Sequence, residues 1–131
     1  GAMEDMRENA TKIYGCRGVF LPAVTAPGSM KHTCMSPHIV NWTGGAGWIA
    51  QLYYDYYIFT RDEKFLAETA LPFMREAALF YRDFIIRSEN EWHICPSVSP
   101  ENQTSCYRGT PTHWAENVQS AVDAAMDVAI I

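Results

Sequence analysis

Hydrophobic and polar positions follow two different helical patterns in the middle of the chain. From Thr43 to Phe59 the sequence is apolar almost all round, and only Gln51 and Asp55 are clearly polar in its second half. Thr43 is a suitable N-cap residue. Since a helix without a polar face must be covered on nearly all sides, this pattern predicts a helix over 43–59 that is the most buried helix of the chain.

The next segment, 62–86, has a one-sided pattern. Asp62 is placed to cap a helix, and Pro72 predicts a break or kink near Leu71. Beyond the proline the apolar and polar positions separate at helical spacing, with Phe73, Ala77, Phe80 and Phe84 on one face and Arg75, Glu76, Arg82 and Asp83 on the other. The two segments, joined by the turn 60–61, predict an αα-hairpin with an inner and an outer helix.

The flanking segments have weaker patterns. A short helix is predicted over 4–14, ended by Gly15, and a long loop over 15–38, of a length that is usually functional. Residues 88–114 are predicted to be mostly loop with a short strand at 92–94, and helical pattern returns from about Ser120. We interpret residues 1–3, Gly-Ala-Met, as a tag remnant. Residues 4–131 are interpreted as a single, all-α segment of a larger protein, because the helical pattern ends inside an apolar run.

Composition narrows the class of protein. With 131 residues, 48% hydrophobic and 19% charged, the chain is one globular domain in size and is not disordered. Its net charge of −5 argues against nucleic acid or an anionic membrane as a partner. No apolar run is long enough to cross a bilayer, and the absence of a signal peptide leaves the compartment open.

Cysteine and histidine positions give no metal-site pattern. The four cysteines contain no CxxC, so we interpret them as structural thiols, although disulfides Cys16–Cys34 or Cys95–Cys106 remain possible in an oxidising compartment. The four histidines show neither HExxH nor i, i+4 spacing. We therefore expect no metal and no cofactor.

Three glycines lie at the start of the helix that follows Trp42. Since glycine costs about 1 kcal/mol relative to alanine inside a helix, Gly44, Gly45 and Gly47 indicate either close packing of a neighbour or a ligand over the helix start. Trp42 could stack on a sugar, whereas Trp48 at helical spacing is expected in the core.

A proline-bracketed loop carries one carboxylate, Glu101. Pro96 and Pro100 fix the backbone on either side of Ser97–Ser99, so the loop is expected to be stiff. A carboxyl group held near Trp92 and His93 suits an acid catalyst or a sugar-binding site. A solvated loop carboxylate is the ordinary alternative.

The order of several motifs resembles glycoside hydrolase family 95, the inverting α-L-fucosidase-type enzymes with an (α/α)6 barrel. The matching stretches are 13–18, Trp42-Thr43-Gly44-Gly45-Ala46-Gly47-Trp48, 70–74, Pro96-Ser97-Val98-Ser99-Pro100-Glu101-Asn102, and Met126-Asp127. The resemblance implies αα-hairpins that form part of such a barrel and an oligosaccharide or glycoside as substrate. It implies that Glu101 is the general acid and that Trp42 lines the substrate pocket. Trp92, His93 and Asn102, which lie near Glu101 in sequence, are further candidate substrate contacts.

The resembled family also has water-activating residues, an asparagine pair upstream and an aspartate downstream, for which this sequence has no matching motif. We therefore expect the isolated chain to be inactive and to associate with itself through uncovered apolar helix faces. A sugar-binding module without turnover and an oligomerising helical module are the alternatives to an enzyme.

Overall fold

The computed structural model describes residues 1–34, 37–99 and 121–131. The first helix, α1 (Ala2–Asn9), continues directly into a π-helical turn, Ala10–Tyr14. Gly15 ends it in the left-handed conformation, with φ of 67°, as the sequence predicted. The predicted start at residue 4 is too late, because the residues interpreted as a tag remnant contribute the first helical positions.

Two longer helices form the predicted αα-hairpin. After the short α2 (Pro37–Val40) come α3 (Gly45–Thr60), α4 (Glu63–Phe65), a π-helical turn (Leu66–Ala70) and α5 (Leu71–Phe84). Asp62 caps α4 as predicted, since its Oδ1 accepts a hydrogen bond of 2.9 Å from the Phe65 amide. Pro72 lies in the first turn of α5, where its missing N–H is tolerated. The helix does not end near Leu71, but its α-helical pattern is interrupted there by the π-helical turn, which ends at Ala70.

A β-hairpin follows α5. Strands β1 (Ile86–Ser88) and β2 (Glu91–His93) pair antiparallel, with Arg87 opposite Trp92. The second strand was predicted one residue later, and the first was missed because the helical pattern runs on past Phe84. The last helix, α6 (Ala125–Ile130), begins after the predicted Ser120, and residues 121–124 are not helical.

The core lies on α5. Phe80 is completely buried, and Tyr14 packs edge-on against Phe80 and Phe84 at ring distances of 5.8 and 5.1 Å. The segment after Gly15 crosses α5 closely, since the Val19 amide donates to the Glu76 carbonyl oxygen at 3.2 Å. The buried cluster draws on α1, this segment, α3, α5 and the residue after β2: Met6, Ala10, Cys16, Val19, Phe20, Ala46, Phe73, Ala77, Phe80, Tyr81, Phe84 and Ile94.

The ranking of the two hairpin helices is opposite to the prediction. Only Gly45, Ala46 and Gly47 of α3 are buried, whereas α5 buries residues along its whole length. An apolar stripe of α3 faces away from α5 and is exposed; it consists of Trp48, Leu52, Tyr56 and Phe59. Among the described residues, α5 and the π-helical turn Leu66–Ala70 lie against α3. The stripe has ring contacts from Trp42 to Trp48 and from Phe65 to Tyr56, which leave these side chains largely exposed. Trp48, expected in the core, is 45% exposed.

The architecture is mainly α-helical with one β-hairpin, and the described residues do not form a closed barrel. Among them, no helix is both long and apolar enough to cross a membrane.

Candidate active site

The glycine-rich start of α3 is held by close contacts from three sides. A Cβ atom on Gly45 would lie 2.6 Å from the Leu21 carbonyl oxygen, and one on Gly47 would collide with the Ile130 side chain. One on Gly44 would lie 2.8 Å from Oδ1 of Asp127. Of the two explanations that the sequence allowed for these glycines, close packing is therefore confirmed.

Thr43 does not cap α3, contrary to the prediction. Gly44 occupies the N-cap position, and the Thr43 side chain is fully buried. Its backbone carbonyl accepts a hydrogen bond of 3.0 Å from the Tyr81 hydroxyl, which in turn accepts one of 2.8 Å from the Gly47 amide. Tyr81 therefore fixes the first turn of α3 from α5, and burial raises the pKa of its hydroxyl.

Asp127, on α6, joins this helix start to the proline-bracketed loop. The residue is completely buried. Its Oδ2 accepts hydrogen bonds from the Ser97 hydroxyl at 2.6 Å, from the Val98 amide at 3.3 Å and from the Thr43 hydroxyl at 3.4 Å. Burial raises the pKa of this carboxyl group, and the hydrogen bonds oppose that shift. Its Oδ1 lies against Gly44 without a well-aligned hydrogen bond.

The loop is pinned at both ends of its described part. Ser97 and Ala121 exchange two backbone hydrogen bonds of 2.9 and 2.7 Å, and the Ala124 amide donates to the Ser97 hydroxyl oxygen at 3.0 Å. The Met126 amide donates to the Ser99 hydroxyl oxygen at 3.5 Å. The backbone is thus fixed up to Ser99. The two loop residues of the predicted site, Glu101 and Asn102, lie outside the described residues.

Trp92 and His93 are brought together on the β-hairpin. Trp92 is 64% exposed, and the Arg87 guanidinium lies over one face of its ring at 5.3 Å. His93 Nδ1 lies 2.8 Å from Asp123 Oδ2, and Asp123 Oδ1 accepts the Ile94 amide at 2.7 Å. The hydrogen bond to Asp123 raises the pKa of the His93 imidazole.

Trp42 belongs to a different part of the surface. It is half-buried and packs edge-to-face on Trp48, with ring centroids 6.0 Å apart. A cavity of about 370 Å³ beside Trp92 does not include Trp42; its lining is Ile85, Trp92, Ile94, Asp123, Val128 and Ile131. The described residues therefore separate the predicted contacts into two groups, one at the start of α3 and one on the hairpin.

The model of the glycosyl hydrolase family 95 catalytic domain matches residues 1–131. The chain belongs to glycosyl hydrolase family 95. The match spans all of it, from α1 to α6, and a comparison with curated proteins gives no match. The chemistry of a family 95 domain is the hydrolysis of glycosidic bonds, so the chain is part of a glycoside hydrolase.

The structure adds residues to this family 95 segment that sequence reasoning did not place in the site. Asp127 was named only as part of the resemblance, and Tyr81 was not singled out within the predicted helix 62–86. A signal for Asp127 exists, because it is the only charged residue between Ala124 and Ile131. An isolated carboxylate in an apolar run indicates a buried site with hydrogen-bond donors, since a buried charge needs such donors around it.

The burial and hydrogen bonds of Asp127 limit the reactions in which its carboxylate can take part. Because it is completely buried and accepts from protein donors, it does not contact solvent and cannot activate a bulk water molecule. Its hydrogen bonds with Ser97, Val98 and Thr43 connect the loop to the residue before the start of α3.

The described part of this family 95 chain contains three free cysteines. Cys16, Cys34 and Cys95 are free, so the Cys16–Cys34 disulfide that the sequence left open is not formed. Cys106, the other candidate partner of Cys95, lies outside the described residues. Within the described ranges, no group of three or more His, Cys, Asp or Glu side chains is arranged to hold a metal ion.

Proposed function

We propose that this chain contributes the acid-catalyst loop of an inverting glycoside hydrolase that acts on terminal, α-L-fucoside-like bonds. Family membership supports glycoside hydrolysis. The finer assignments rest on the resemblance of the Pro96–Asn102 stretch to the family's Ser-Pro-Glu loop. In this proposal Glu101, protonated, donates to the glycosidic oxygen while a separate base activates water on the opposite face of the sugar.

The observation that carries the proposal is the anchoring of Ser97–Ser99. A general acid must stay within hydrogen-bond reach of the leaving oxygen. The chain enters the Glu101 segment from a backbone that Asp127, Ala121 and the start of α6 hold through the hydrogen bonds described above. A catalytic residue must be held in a narrow range of positions, so anchoring of the residues just before Glu101 fits the proposed role of this residue.

Substrate contacts are proposed for Trp42, Trp92, His93 and Asn102. The exposed ring of Trp92 has Arg87 on one face and offers the other to a sugar. His93, with its raised pKa, donates hydrogen bonds more readily as an imidazolium. For Trp42 the support is the resemblance together with its half-buried indole ring, which packs edge-to-face on the exposed Trp48.

The proposed architecture is a portion of an (α/α)6 barrel within a larger catalytic domain. The α3–α5 hairpin is the kind of unit that such a barrel repeats, and the uncovered apolar stripe of α3 would pack against a neighbouring hairpin. In this arrangement α3 would become the buried inner helix that its sequence predicts.

The test compares Glu101→Gln with the unchanged protein in the longer catalytic domain. Glutamine keeps the shape of the side chain and removes the proton. Loss of an acid catalyst costs about 10²- to 10⁴-fold in rate, and the loss should be largest for α-L-fucosides with poor leaving groups. NMR of the first product should show the β anomer, as inversion requires.

Unchanged turnover of a poor leaving group by Glu101→Gln would reject the assignment. A longer protein that binds fucosides without hydrolysing them would favour the alternative, a carbohydrate-binding module. The exposed Trp92 is the feature that would serve that function. The isolated chain is expected to be inactive in either case.

A further inference from the structure

The buried carboxylate of Asp127 contacts the start of α3 as well as the loop that it helps to anchor. It lies between two of the stretches that carry the family resemblance, the glycine-rich start of α3 and the proline-bracketed loop. It contacts both through side-chain and backbone donors.

We infer that Asp127 is a positioning residue for the acid-catalyst loop, fixing Ser97 and Val98 against the start of α3 so that Glu101 is presented from a set backbone. The inference rests on the proposed function, since it concerns the same loop. Asp127 touches no substrate in this account and acts only through the loop.

The hydrogen bonds of Asp127 show which loop atoms it holds, which burial alone does not show. The Ser97 hydroxyl donates to Asp127 Oδ2 and also accepts from the Ala124 amide, so its orientation is fixed from both sides. The Val98 amide donates to the same carboxylate oxygen. Charge-assisted hydrogen bonds of this kind are stronger than neutral ones and hold narrower geometry.

The far side of the carboxylate is equally fixed. Thr43 contacts it through its hydroxyl, and Tyr81 bonds both the Thr43 carbonyl and the Gly47 amide. Gly44 leaves the space that Asp127 Oδ1 occupies, because a Cβ there would lie 2.8 Å from this atom. The loop is therefore connected to Tyr81 of α5 through Asp127 and Thr43.

The test is a double-mutant cycle between Asp127→Asn and Glu101→Gln in the longer catalytic domain. If Asp127 acts through Glu101, Asp127→Asn alone should lower kcat about 10- to 100-fold with little change in KM, because misplaced catalytic groups cost rate more than binding. In the Glu101→Gln background the same substitution should cause almost no further loss, since two residues that act as one unit are not additive.

Asp5→Asn is the matched control. Asp5 Oδ2 accepts from a serine hydroxyl, Ser29, at 2.8 Å and from the following amide, Met30, at 3.0 Å, which is the same pair of donors in a different loop. This variant should keep the unchanged kcat. If Asp127→Asn does not fold, Ser97→Ala removes the shortest hydrogen bond and is tested in the same cycle.

The outcomes separate the two proposals. Normal turnover in Asp127→Asn or Ser97→Ala, or losses that multiply with that of Glu101→Gln, would overturn the positioning role and leave the acid assignment standing. Unchanged turnover in Glu101→Gln alone would overturn the proposed function itself.

Discussion

Two carboxylates four residues apart show how environment separates side chains of the same type. Asp123 is partly exposed and hydrogen-bonded to His93, and this contact lowers the pKa of the carboxyl group. Asp127 is completely buried, and burial raises its pKa. The first therefore forms an ion pair at the surface, while the second is held among fixed donors in the core.

The His93–Asp123 pair predicts that the free energy of unfolding depends on pH. Because the folded-state pKa of His93 is raised above the ordinary value of about 6.5, the contribution of the pair to stability is fully present below about pH 6.5 as long as Asp123 is ionised. It is lost as pH rises through the folded-state value. Glu91, whose carboxylate lies 3.6 Å from His93 Nε2, acts in the same direction. Proton NMR should show His93 titrating above its ordinary value, and Asp123→Asn should move it downward.

His32 is the internal control for this titration. Burial lowers the pKa of its imidazole, so it should titrate below 6.5 in the same spectra and should not respond to Asp123→Asn. A His93 resonance that titrates at or below 6.5 in the unchanged chain would contradict the pairing.

At the scale of elements, the start of α3 depends on the absence of side chains. Leu21, Ile130 and Asp127 approach Gly45, Gly47 and Gly44 more closely than a Cβ atom would allow. The helix can therefore lie against α6 and the segment after Gly15 only with glycine at these positions, despite the cost of glycine in a helix.

Gly45→Ala should destabilise the chain although alanine is the better helix former. The added Cβ would lie 2.6 Å from the Leu21 carbonyl oxygen, a backbone atom that cannot rotate away. Overpacking of this kind costs about 1–3 kcal/mol, which exceeds the gain in helix propensity of about 1 kcal/mol. Urea unfolding should show a lower midpoint with an unchanged slope.

Gly28→Ala separates the clash from backbone strain. Its Cβ would meet nothing within 4 Å, but the residue has φ of 73°, so only the cost of the left-handed conformation, about 1–2 kcal/mol, applies. A Gly45→Ala variant as stable as the unchanged chain would show that α3 can move away from Leu21.

The sequence predicts the ends of helices correctly where the residue that determines the end acts on its own turn. Asp62 as a cap and Gly15 as a terminator are confirmed because each acts on its own turn. Thr43 was wrong as a cap because its hydroxyl contacts Asp127, 84 residues away in sequence. No local pattern contains that partner, so the cluster of Thr43, Tyr81, Ser97 and Asp127 could not be assembled from spacing alone.

At the scale of the whole molecule, the burial of α3 is the point on which sequence and structure differ. The apolar pattern of 48–59 indicates a helix covered on nearly all sides, whereas α3 is buried only at Gly45–Gly47 and its apolar stripe is largely exposed. The apolar pattern indicates how much of the helix surface must be covered by other protein. The observed burial shows only how much of that surface the described residues cover. In the same way, the family identifies glycoside hydrolysis, while the roles of Glu101 and Asn102 remain predictions.

The exposed stripe of α3 predicts that the isolated chain associates with itself. Trp48, Leu52, Tyr56 and Phe59 recur at helical spacing, and Phe59 is 87% exposed. Contiguous apolar surface of this kind favours contact with another copy. Light scattering after size exclusion should give a mass above 14.8 kDa that rises with concentration. The double variant Leu52→Lys/Phe59→Lys should return the chain to a monomer, because both new charges would be buried by association.

Val24→Lys/Ile86→Lys is the matched control for this experiment. It adds the same charge at two exposed apolar positions outside α3, so it tests whether net charge alone disperses the chain. We expect this variant to associate like the unchanged chain. A monomeric mass for the unchanged chain over a wide concentration range would refute self-association, and dispersal by both double variants would refute the assignment of the interface to α3.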